Sequence, residues 1–341
     1  MQLKFSGLGK VLLLGGGELL SICAIDLKAA GTQVVVITSP RQAAEIVSSG
    51  KTLTEHLSTY AVAIHITEDV NSDSTVLGLI CDESVGLSIA AAWIFRQPLI
   101  SRFDGRLLNA HSMRLPRDRG SGGFSWLIMN GDREGMCLVH QIDKGLDTGP
   151  IVRHRAFLYP PTCRVPQDYR EVFVAENRVF LAQLFNDIRN KHDFPLLHQV
   201  EYLSTYWPRL STEHSGFIDW SWGLRDIERF ICAFDSPYAG ASTFINGQRV
   251  YVKQCLISFV DGVFHPFQKG LVFRQDGNRQ FVATDQGTLI LDSVTDSSGA
   301  NFAKQISLGD RFYTPIQQLE LARQGRAVVT PFGLRYGTHN H

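Results

Sequence analysis

Two separate stretches of the chain carry residue types that could perform chemistry together. Asn109 and His111 lie two residues apart, and Asp147 stands further along within the sequence Gly-Leu-Asp-Thr-Gly. Side chains two apart on a strand share one face, so the amide and the imidazole would meet in one polar site. Acyl transfer to an amine needs a donor that stabilises the developing oxyanion and a group that moves protons. The pattern therefore predicts an acyl-transfer site, which the Asp147 carboxylate would complete.

The residues around these stretches have the pattern of a parallel sheet. Short apolar runs at 10–14, 33–37 and 61–66 alternate with helical segments, of which the first covers 19–30. Continuous apolar strands that alternate with helices indicate a parallel sheet covered on both faces. Further strands are predicted at 76–80, 85–89, 107–111, 136–142 and 151–157, and a long helix at 167–191. We predict an α/β fold with a Rossmann-like, mostly parallel sheet and helices on both faces.

The composition of the chain changes after the long helix. Segment 202–222 mixes Pro, Ser and Gly with three tryptophans, which is typical of a linker that packs, and a helix is predicted at 224–234. Short strands follow, with turns marked by the pairs Asn246-Gly247, Asp261-Gly262, Asp276-Gly277 and Gln286-Gly287. Such pairs are typical of tight hairpins. We predict a catalytic domain over 1–196, a linker over 197–222, and a β-rich C-terminal domain over 223–341 that resembles a small β-barrel.

Composition excludes some classes of protein. Lys plus Arg and Asp plus Glu both number 33, so the net charge is zero, whereas proteins that bind a polyanion usually carry a basic excess. The six cysteines show no metal-ligand spacing, and no stretch without charges is long enough to span a membrane. The apolar run at 11–14 is interrupted by glycines, which fits a strand and turn better than a signal peptide. We therefore expect a cytoplasmic protein with no nucleic-acid partner, no membrane and no metal.

A glycine-rich turn follows the first predicted strand and includes Gly16 and Gly17. The dinucleotide-binding fingerprint fails here, because its third glycine position holds Leu20 and the second strand ends without an acidic residue. What remains is a glycine turn at a helix start, whose N–H groups could bind a substrate phosphate or could simply let the chain turn. We include Gly16, Gly17 and Glu18 among the candidate substrate-binding residues.

The order of short motifs resembles one enzyme family. Asn-x-His at 109–111, Leu-Pro at 115–116, Arg-Gly at 119–120 and Leu-Asp-Thr-Gly at 146–149 are similar to the formyltransferases that use 10-formyltetrahydrofolate. That family includes glycinamide ribonucleotide, methionyl-tRNA and sugar N-formyltransferases. The stretch from 218 to 241 also resembles the C-terminal domain of the last two branches, which the purine enzyme lacks. The resemblance implies that Asn109, His111 and Asp147 are the catalytic triad.

Two groups of binding residues are predicted, the folate group from the resemblance and the substrate group from the glycine-rich turn and the loop around the Arg-Gly motif. The candidates for folate binding are Trp93, Ile94, Phe95, Ile142, Asp143, Gly145 and Leu146. The candidates for substrate binding are Gly16, Gly17, Glu18, Arg119, Gly122, Gly123 and Trp126. Two alternatives stay open at this point: the apolar run at 93–95 could be core, and Arg119 could bind a substrate anion or hold its own loop. Trp126 could likewise shape the substrate entrance or pack.

The resemblance predicts an N-formyltransferase with 10-formyltetrahydrofolate as co-substrate. The Gly-Gly-Phe-Ser-Trp sequence at 122–126 is closer to the glycan branch, so the expected acceptor is the primary amine of a nucleotide-linked amino sugar, a precursor of lipopolysaccharide or another surface glycan. Methionyl-tRNA formylation and a non-catalytic folate-binding module are the alternatives. We expect Asp147 to favour the charged imidazolium of His111. The C-terminal domain could join two subunits as a homodimer.

Overall fold

The computed structural model describes residues 2–337, and its N-terminal part is built around one seven-stranded sheet. The strands of this part are β1 Gln2–Leu3, β2 Lys10–Gly15, β3 Gln33–Thr38, β4 Ala63–Ile66, β5 Ser84–Ile89, β6 Leu107–His111, β7 Arg119–Gly120, β8 Glu134–Gln141, β9 Ile151–Leu158 and β10 Phe194–Pro195. The helices are α1 Gly17–Ala29, α2 Pro40–Ala43, α3 Leu53–Thr59, α4 Ser74–Leu79, α5 Leu99–Arg102, α6 Gly123–Asn130 and α7 Pro166–Arg189.

The central sheet has the strand order β4-β3-β2-β5-β6-β8-β9. The five strands from β4 to β6 are parallel, and β8 and β9 add an antiparallel edge. Alternate side chains of β2 enter different cores: Val11 and Leu13 pack with α1 and α7, whereas Leu12 and Leu14 pack with α4 and α5. Both faces of the sheet are therefore covered, which explains the uninterrupted apolar strands and confirms the predicted fold class.

One predicted strand is wrong. Residues 76–80 were expected to form a strand, but they belong to α4 and the residue that follows it. The Asp73 carboxylate accepts hydrogen bonds from the N–H groups of Thr75 and Val76 at 2.8 and 3.1 Å and so caps the helix. A short apolar run does not distinguish a strand from a buried helix, and here the capping residue decides.

The C-terminal part follows a short linker. Its elements are β11 Tyr206–Trp207, α8 Thr212–Ser215, α9 Leu224–Ala233, β12 Ala241–Ile245, β13 Gln248–Ser258, β14 Val272–Asp276, β15 Arg279–Thr284, β16 Gly287–Thr295, α10 Ile316–Gln324, β17 Arg326–Thr330 and β18 Gly333–Gly337, with 3₁₀ turns at Glu201–Leu203, Pro266–Gln268 and Ala303–Gln305. Strands β12 to β16 form an antiparallel sheet in the order β12-β13-β16-β15-β14. The turn expected at 261–262 does not close a hairpin, because β13 pairs with β12 and β16 and not with β14.

Residues 310–313 link the two edges of this second sheet. Tyr313 exchanges backbone hydrogen bonds with Phe244 of β12, and the Val272 N–H of β14 donates to the Asp310 carbonyl at 2.8 Å. The same short segment thus pairs with both edge strands and closes the sheet on itself, as predicted for a β-barrel-like domain. No helix between residues 2 and 337 combines the length and apolar character needed to cross a bilayer.

Candidate active site

The structure brings Asn109, His111 and Asp147 together. The first two stand at the carboxyl end of β6, and Asp147 stands in the loop between β8 and β9. His111 Nδ1 lies 3.8 Å from Asp147 Oδ1, and the Gly120 N–H donates to Asp147 Oδ2 at 3.1 Å. The side chains of His111 and Asp147 are 7% and 13% exposed, while Asn109 is half-buried. The amide, the imidazole and the carboxylate therefore line one site that keeps a limited opening to solvent.

A second histidine joins this group. His140 of β8 is the cross-strand partner of Asn109, and its Nε2 lies 3.1 Å from Asn109 Nδ2 and 3.6 Å from Asp147 Oδ1. The sequence analysis does not single out His140, because the pairing of β6 with β8 depends on tertiary structure. The available signal was a histidine inside the otherwise apolar run that leads to the Asp147 loop.

Backbone carbonyls fix the tautomer of each histidine. His140 Nδ1 lies 2.7 Å from the Gln141 carbonyl, so this nitrogen donates and Nε2 accepts a hydrogen bond from the Asn109 amide. His111 Nε2 lies 3.1 Å from the Asp118 carbonyl, so this nitrogen donates and Nδ1 carries the lone pair of the neutral ring. The free lone pair of His111 therefore faces Asp147 across a gap too long for a direct hydrogen bond.

The pKa values of His111 and Asp147, the two titratable groups of the triad, are shifted by different causes. Burial lowers the pKa of His111 below its usual 6.5, and this effect exceeds the opposing attraction of Asp147. Burial alone would raise the pKa of Asp147, but the facing His140 and His111 and the Gly120 N–H outweigh it and hold the pKa at about 2. The Asp147 carboxylate thus favours the charged imidazolium of His111, as expected, but burial outweighs this effect, and the ring is neutral above its lowered pKa.

The Asp147 loop is held in an uncommon conformation. Asp147 has a φ of 54°, in the left-handed region that few residues other than glycine adopt. The Gln199 side-chain amide donates to the carbonyls of Asp147 and Gly149 at 2.8 and 2.7 Å. A Cβ at Gly149 would lie 1.9 Å from the Gln141 carbonyl oxygen, so only glycine lets the loop close against the end of β8. These contacts direct the carboxylate toward His111.

Arg119 is occupied by protein partners. Its guanidinium lies 2.8 Å from the Glu201 carboxylate and donates two bonds to Gln199 Oε1, at 3.3 and 3.1 Å. Since Gln199 in turn holds the Asp147 loop, Arg119 is part of the support of the site. Of the two roles left open by the sequence, the geometry favours the one that holds the loop.

The neighbouring substrate candidates pack against the linker. Strand β11 pairs in parallel with β7, and a Cβ on Gly120 would lie 2.2 Å from the Trp207 carbonyl oxygen, which explains the glycine of the Arg-Gly motif. Gly122 approaches the backbone of 208–210, and Gly123 lies directly beside the Met113 side chain. Trp126 donates to the Pro208 carbonyl at 2.9 Å, with its ring centroid 5.1 Å from that of Trp207. The linker thus forms one wall beside the triad.

The folate candidates lie on the face of the sheet that α4 and α5 cover. Trp93, Phe95 and Ile142 pack against the same buried cluster, although they come from different loops. Trp93 also donates to the Glu68 carbonyl at 2.9 Å. Ile94 and Leu146 are 69% and 54% exposed. Asp143 Oδ1 accepts hydrogen bonds from the Gly145 N–H and the Thr148 hydroxyl at 3.0 and 2.6 Å, so it organises its own loop. Both predicted folate stretches therefore contribute side chains to the packing of one buried cluster.

The glycine-rich turn begins α1. Gly16 precedes the first turn of that helix, and a Cβ on Gly17 would meet no atom within 4 Å, so the turn is open on that side. The Glu18 carboxylate accepts hydrogen bonds from the N–H and hydroxyl of Ser48 at 2.9 and 2.6 Å. Gly16 lies against Gln42 of α2, whose side-chain amide donates to the Ala90 carbonyl at 2.7 Å. The turn therefore sits where the strand order reverses between β2 and β5, a common position for ligand clefts.

The site also contains a set of side chains that could hold a metal ion. Within residues 2–337, ligand atoms of His111, His140 and Asp147 lie within 4.8 Å of one another. The imidazole and carboxylate groups are of the type that binds zinc. In the present arrangement His140 Nε2 instead accepts a hydrogen bond from Asn109, so the prediction of a metal-free site stays a prediction.

Comparison with known proteins identifies relatives of both domains. Residues 10–181 match the formyl transferase family, and residues 210–305 match the formyl transferase C-terminal domain. A methionyl-tRNA formyltransferase from Cereibacter sphaeroides is 30% identical over 207 residues, which are 60% of this chain and 65% of the relative. The chain thus spans less than two thirds of the length of this curated relative.

Two solved structures share the fold. One is WlaRD, a sugar 3N-formyl transferase in the presence of dTDP and 5-N-formyl-THF, with a TM-score of 0.62, 19% identity and coverage of 83% of this chain and 96% of that one. The other is the N-formyltransferase from Helicobacter canadensis in complex with folinic acid and dTDP-3-aminofucose, with a TM-score of 0.61, 17% identity and coverage of 83% and 98%. Because the family match covers more than half of the chain and includes Asn109, His111 and Asp147, the chain belongs to the formyltransferase family.

Proposed function

We propose that this protein transfers a formyl group from 10-formyltetrahydrofolate to the primary amine of a nucleotide-linked amino sugar. The observation that carries the proposal is the convergence of Asn109, His111 and Asp147 in one partly open site. Family membership supports the reaction type, and the geometry of the three side chains supports the roles given to each residue below.

Asn109 stabilises the oxyanion in this proposal. Attack of the amine on the formyl carbon places negative charge on the formyl oxygen, which a positioned N–H group can stabilise. One N–H of the Asn109 amide is directed to His140 Nε2, which leaves the second N–H for the oxyanion. His140 thereby orients the amide, because its own proton is committed to the Gln141 carbonyl.

His111 receives the proton that the attacking amine loses. The amine must be neutral to attack and becomes positively charged in the tetrahedral centre, so an unprotonated base is required nearby to take its proton. The His111 ring is neutral at rest because burial lowers its pKa, and its lone pair faces Asp147. The charge that forms on the ring is then stabilised by the Asp147 carboxylate. The proton finally passes to the folate nitrogen that leaves.

The two substrates occupy different sides of the triad in this account. The apolar surface formed by Trp93, Phe95 and Ile142 suits the flat ring of a folate, and the related structures were solved with folate compounds. A nucleotide-linked amino sugar as acceptor is supported by the dTDP and dTDP-3-aminofucose in those structures and by the net charge of zero.

Methionyl-tRNA is the second candidate acceptor. It is favoured by the methionyl-tRNA formyltransferase that is 30% identical to this chain, a higher identity than that of either sugar enzyme. Binding of tRNA should weaken steeply as the salt concentration rises, since it releases many counterions, whereas a sugar nucleotide should show a shallow dependence.

Release of tetrahydrofolate from 10-formyltetrahydrofolate tests the proposal. We expect release that requires a nucleotide-linked amino sugar and that survives treatment with a chelator. The rate of this release should change little between about 50 and 200 mM salt. Release with methionyl-tRNA but not with an amino sugar would show that methionyl-tRNA is the acceptor. Release without any amine would indicate a hydrolase. Folate binding without release under any of these conditions would indicate a non-catalytic binding module.

A further inference from the structure

We infer that Arg209 binds the diphosphate of the acceptor, an inference that rests on the proposed function and deepens it. Arg209 belongs to the linker and lies beside the loop that carries Gly120. Its Nη1 donates to the Ser121 hydroxyl at 3.1 Å, and Ser121 directly follows the glycine whose N–H holds the Asp147 carboxylate. The guanidinium therefore contacts the residue next to Gly120, whose N–H binds the Asp147 carboxylate of the triad.

The guanidinium of Arg209 is incompletely paired. Within residues 2–337 no carboxylate lies within 4.0 Å of it, and its Nε is buried without a hydrogen-bond acceptor. A buried donor without an acceptor and a buried cation without a counterion both destabilise the folded protein. Such a group is explained when a ligand supplies the missing acceptor and the missing negative charge.

The charges around Arg209 point to an anion with more than one negative charge. Burial lowers the pKa of Arg209, and Arg41 of α2 and Arg170 of α7 lower it further, against the opposing effects of Tyr238 and Glu45. Glu45 also forms an ion pair with Arg41. Among these charged groups the guanidinium groups outnumber the carboxylates. A diphosphate diester, which carries one negative charge on each phosphate, would complement such a positive surrounding.

The position of Arg209 also fits the expected path of the acceptor. Arg41 precedes Gln42, which packs against Gly16 of the glycine-rich turn, and the Nε of Arg41 is likewise buried without an acceptor. Arg209 thus contacts the residue that follows Gly120 and is close enough to Arg41, next to that turn, for their charges to interact. A sugar whose amine reaches the triad would place its linked diphosphate at this rim.

Binding of nucleoside diphosphates to the full-length protein tests the inference independently of catalysis. UDP, dTDP and GDP would be titrated calorimetrically into the wild type and into Arg209→Gln, Arg209→Lys and Ser121→Ala. We expect at least one of them to bind the wild type, about tenfold or greater weakening in Arg209→Gln, and smaller losses in Arg209→Lys and Ser121→Ala. Arg279→Gln, which removes a surface ion pair with Asp292 far from the triad, is the matched control.

Folding and function are kept separate in this design. The melting temperature and the affinity for 5-formyltetrahydrofolate should match the wild type in every variant. Equal nucleotide affinity in the wild type and Arg209→Gln would overturn the inference, as would a wild type that binds methionyl-tRNA but no nucleoside diphosphate. Loss of nucleotide binding in Arg209→Gln, with no formyl transfer by the wild type, would leave the anion site standing and reject the proposed reaction. Formyl transfer by Arg209→Gln with an unchanged KM for the acceptor would support the proposed reaction and reject the anion site.

Discussion

Arg119 and Arg209 lie on either side of one short loop, yet their surroundings differ. Arg119 is paired with Glu201 and Gln199 and supports the Asp147 loop. Arg209 has one hydroxyl acceptor and a buried Nε without any. A similar contrast holds for the proposed catalytic floor, formed by Asn109, His111 and Asp147, each of which has at least one protein hydrogen-bond partner. Paired polar groups position the site, and the incompletely paired Arg209 is the group that we propose binds ligand.

The largest effect should follow from a change in the catalytic floor. Asp147→Asn removes the charge that stabilises the protonated His111 ring, so turnover should fall by roughly a hundredfold or more with the fold intact. Steady-state release of tetrahydrofolate measures this, with Asp26→Asn on α1 as a control carboxylate that pairs with Arg178 on the surface. Turnover within a few fold of the wild type in a folded Asp147→Asn protein would show that the floor does not perform the chemistry.

Removal of His140 should have an intermediate effect. His140→Ala leaves the Asn109 amide without the acceptor that orients it, so kcat should fall about tenfold while the KM for folate stays near that of the wild type. His154→Ala on β9, an exposed histidine, is the matched control. A change in KM alone, or no change, would reject the positioning role.

The two arginines should respond differently to the same substitution. Arg119→Gln breaks the contacts with Glu201 and Gln199, so the free energy of unfolding should fall by about 1–2 kcal/mol. Arg209→Gln should leave the free energy of unfolding within about 0.5 kcal/mol of the wild type, because it removes a charge that the protein leaves unbalanced. Denaturant unfolding monitored by circular dichroism measures both. Equal destabilisation would remove the distinction between a supporting and a ligand-binding arginine.

The smallest effect concerns the titration of His111. Its pKa should lie below 6.5 in the folded protein, and Asp147→Asn should lower it further because the carboxylate opposes the effect of burial. Since the folded-state pKa is depressed, the associated stability is present above pH 6.5 and is lost as the pH falls through the lower folded value. Titration followed by NMR of the imidazole signals measures the shift. A pKa above 6.5 would show that the attraction of Asp147 outweighs burial.

Much of the site could be predicted because its signals are local. The spacing of Asn109 and His111 on one strand, and the glycines around Asp147, are visible in the sequence and need no tertiary information. The alternation of apolar strands and helices likewise predicts the sheet. These features depend on neighbours in the chain.

The features that were missed depend on distant contacts. His140 reaches Asn109 only through the pairing of β6 with β8, and Arg209 reaches Ser121 where β11 pairs with β7. Residues 76–80 were assigned to a strand because a short apolar run fits either structure until the Asp73 cap is recognised. Sequence therefore singled out the three side chains that the structure brings together, and tertiary structure was needed to find the groups around them.

Single-turnover formyl transfer by His111→Ala tests the central claim most directly. With 10-formyltetrahydrofolate bound and an accepted amine in excess, we expect tetrahydrofolate to form at least about a hundredfold more slowly than in the wild type, with folate affinity and melting temperature unchanged. A folded His111→Ala protein that transfers the formyl group at nearly the wild-type rate would contradict the assignment of this site as the place where the reaction occurs.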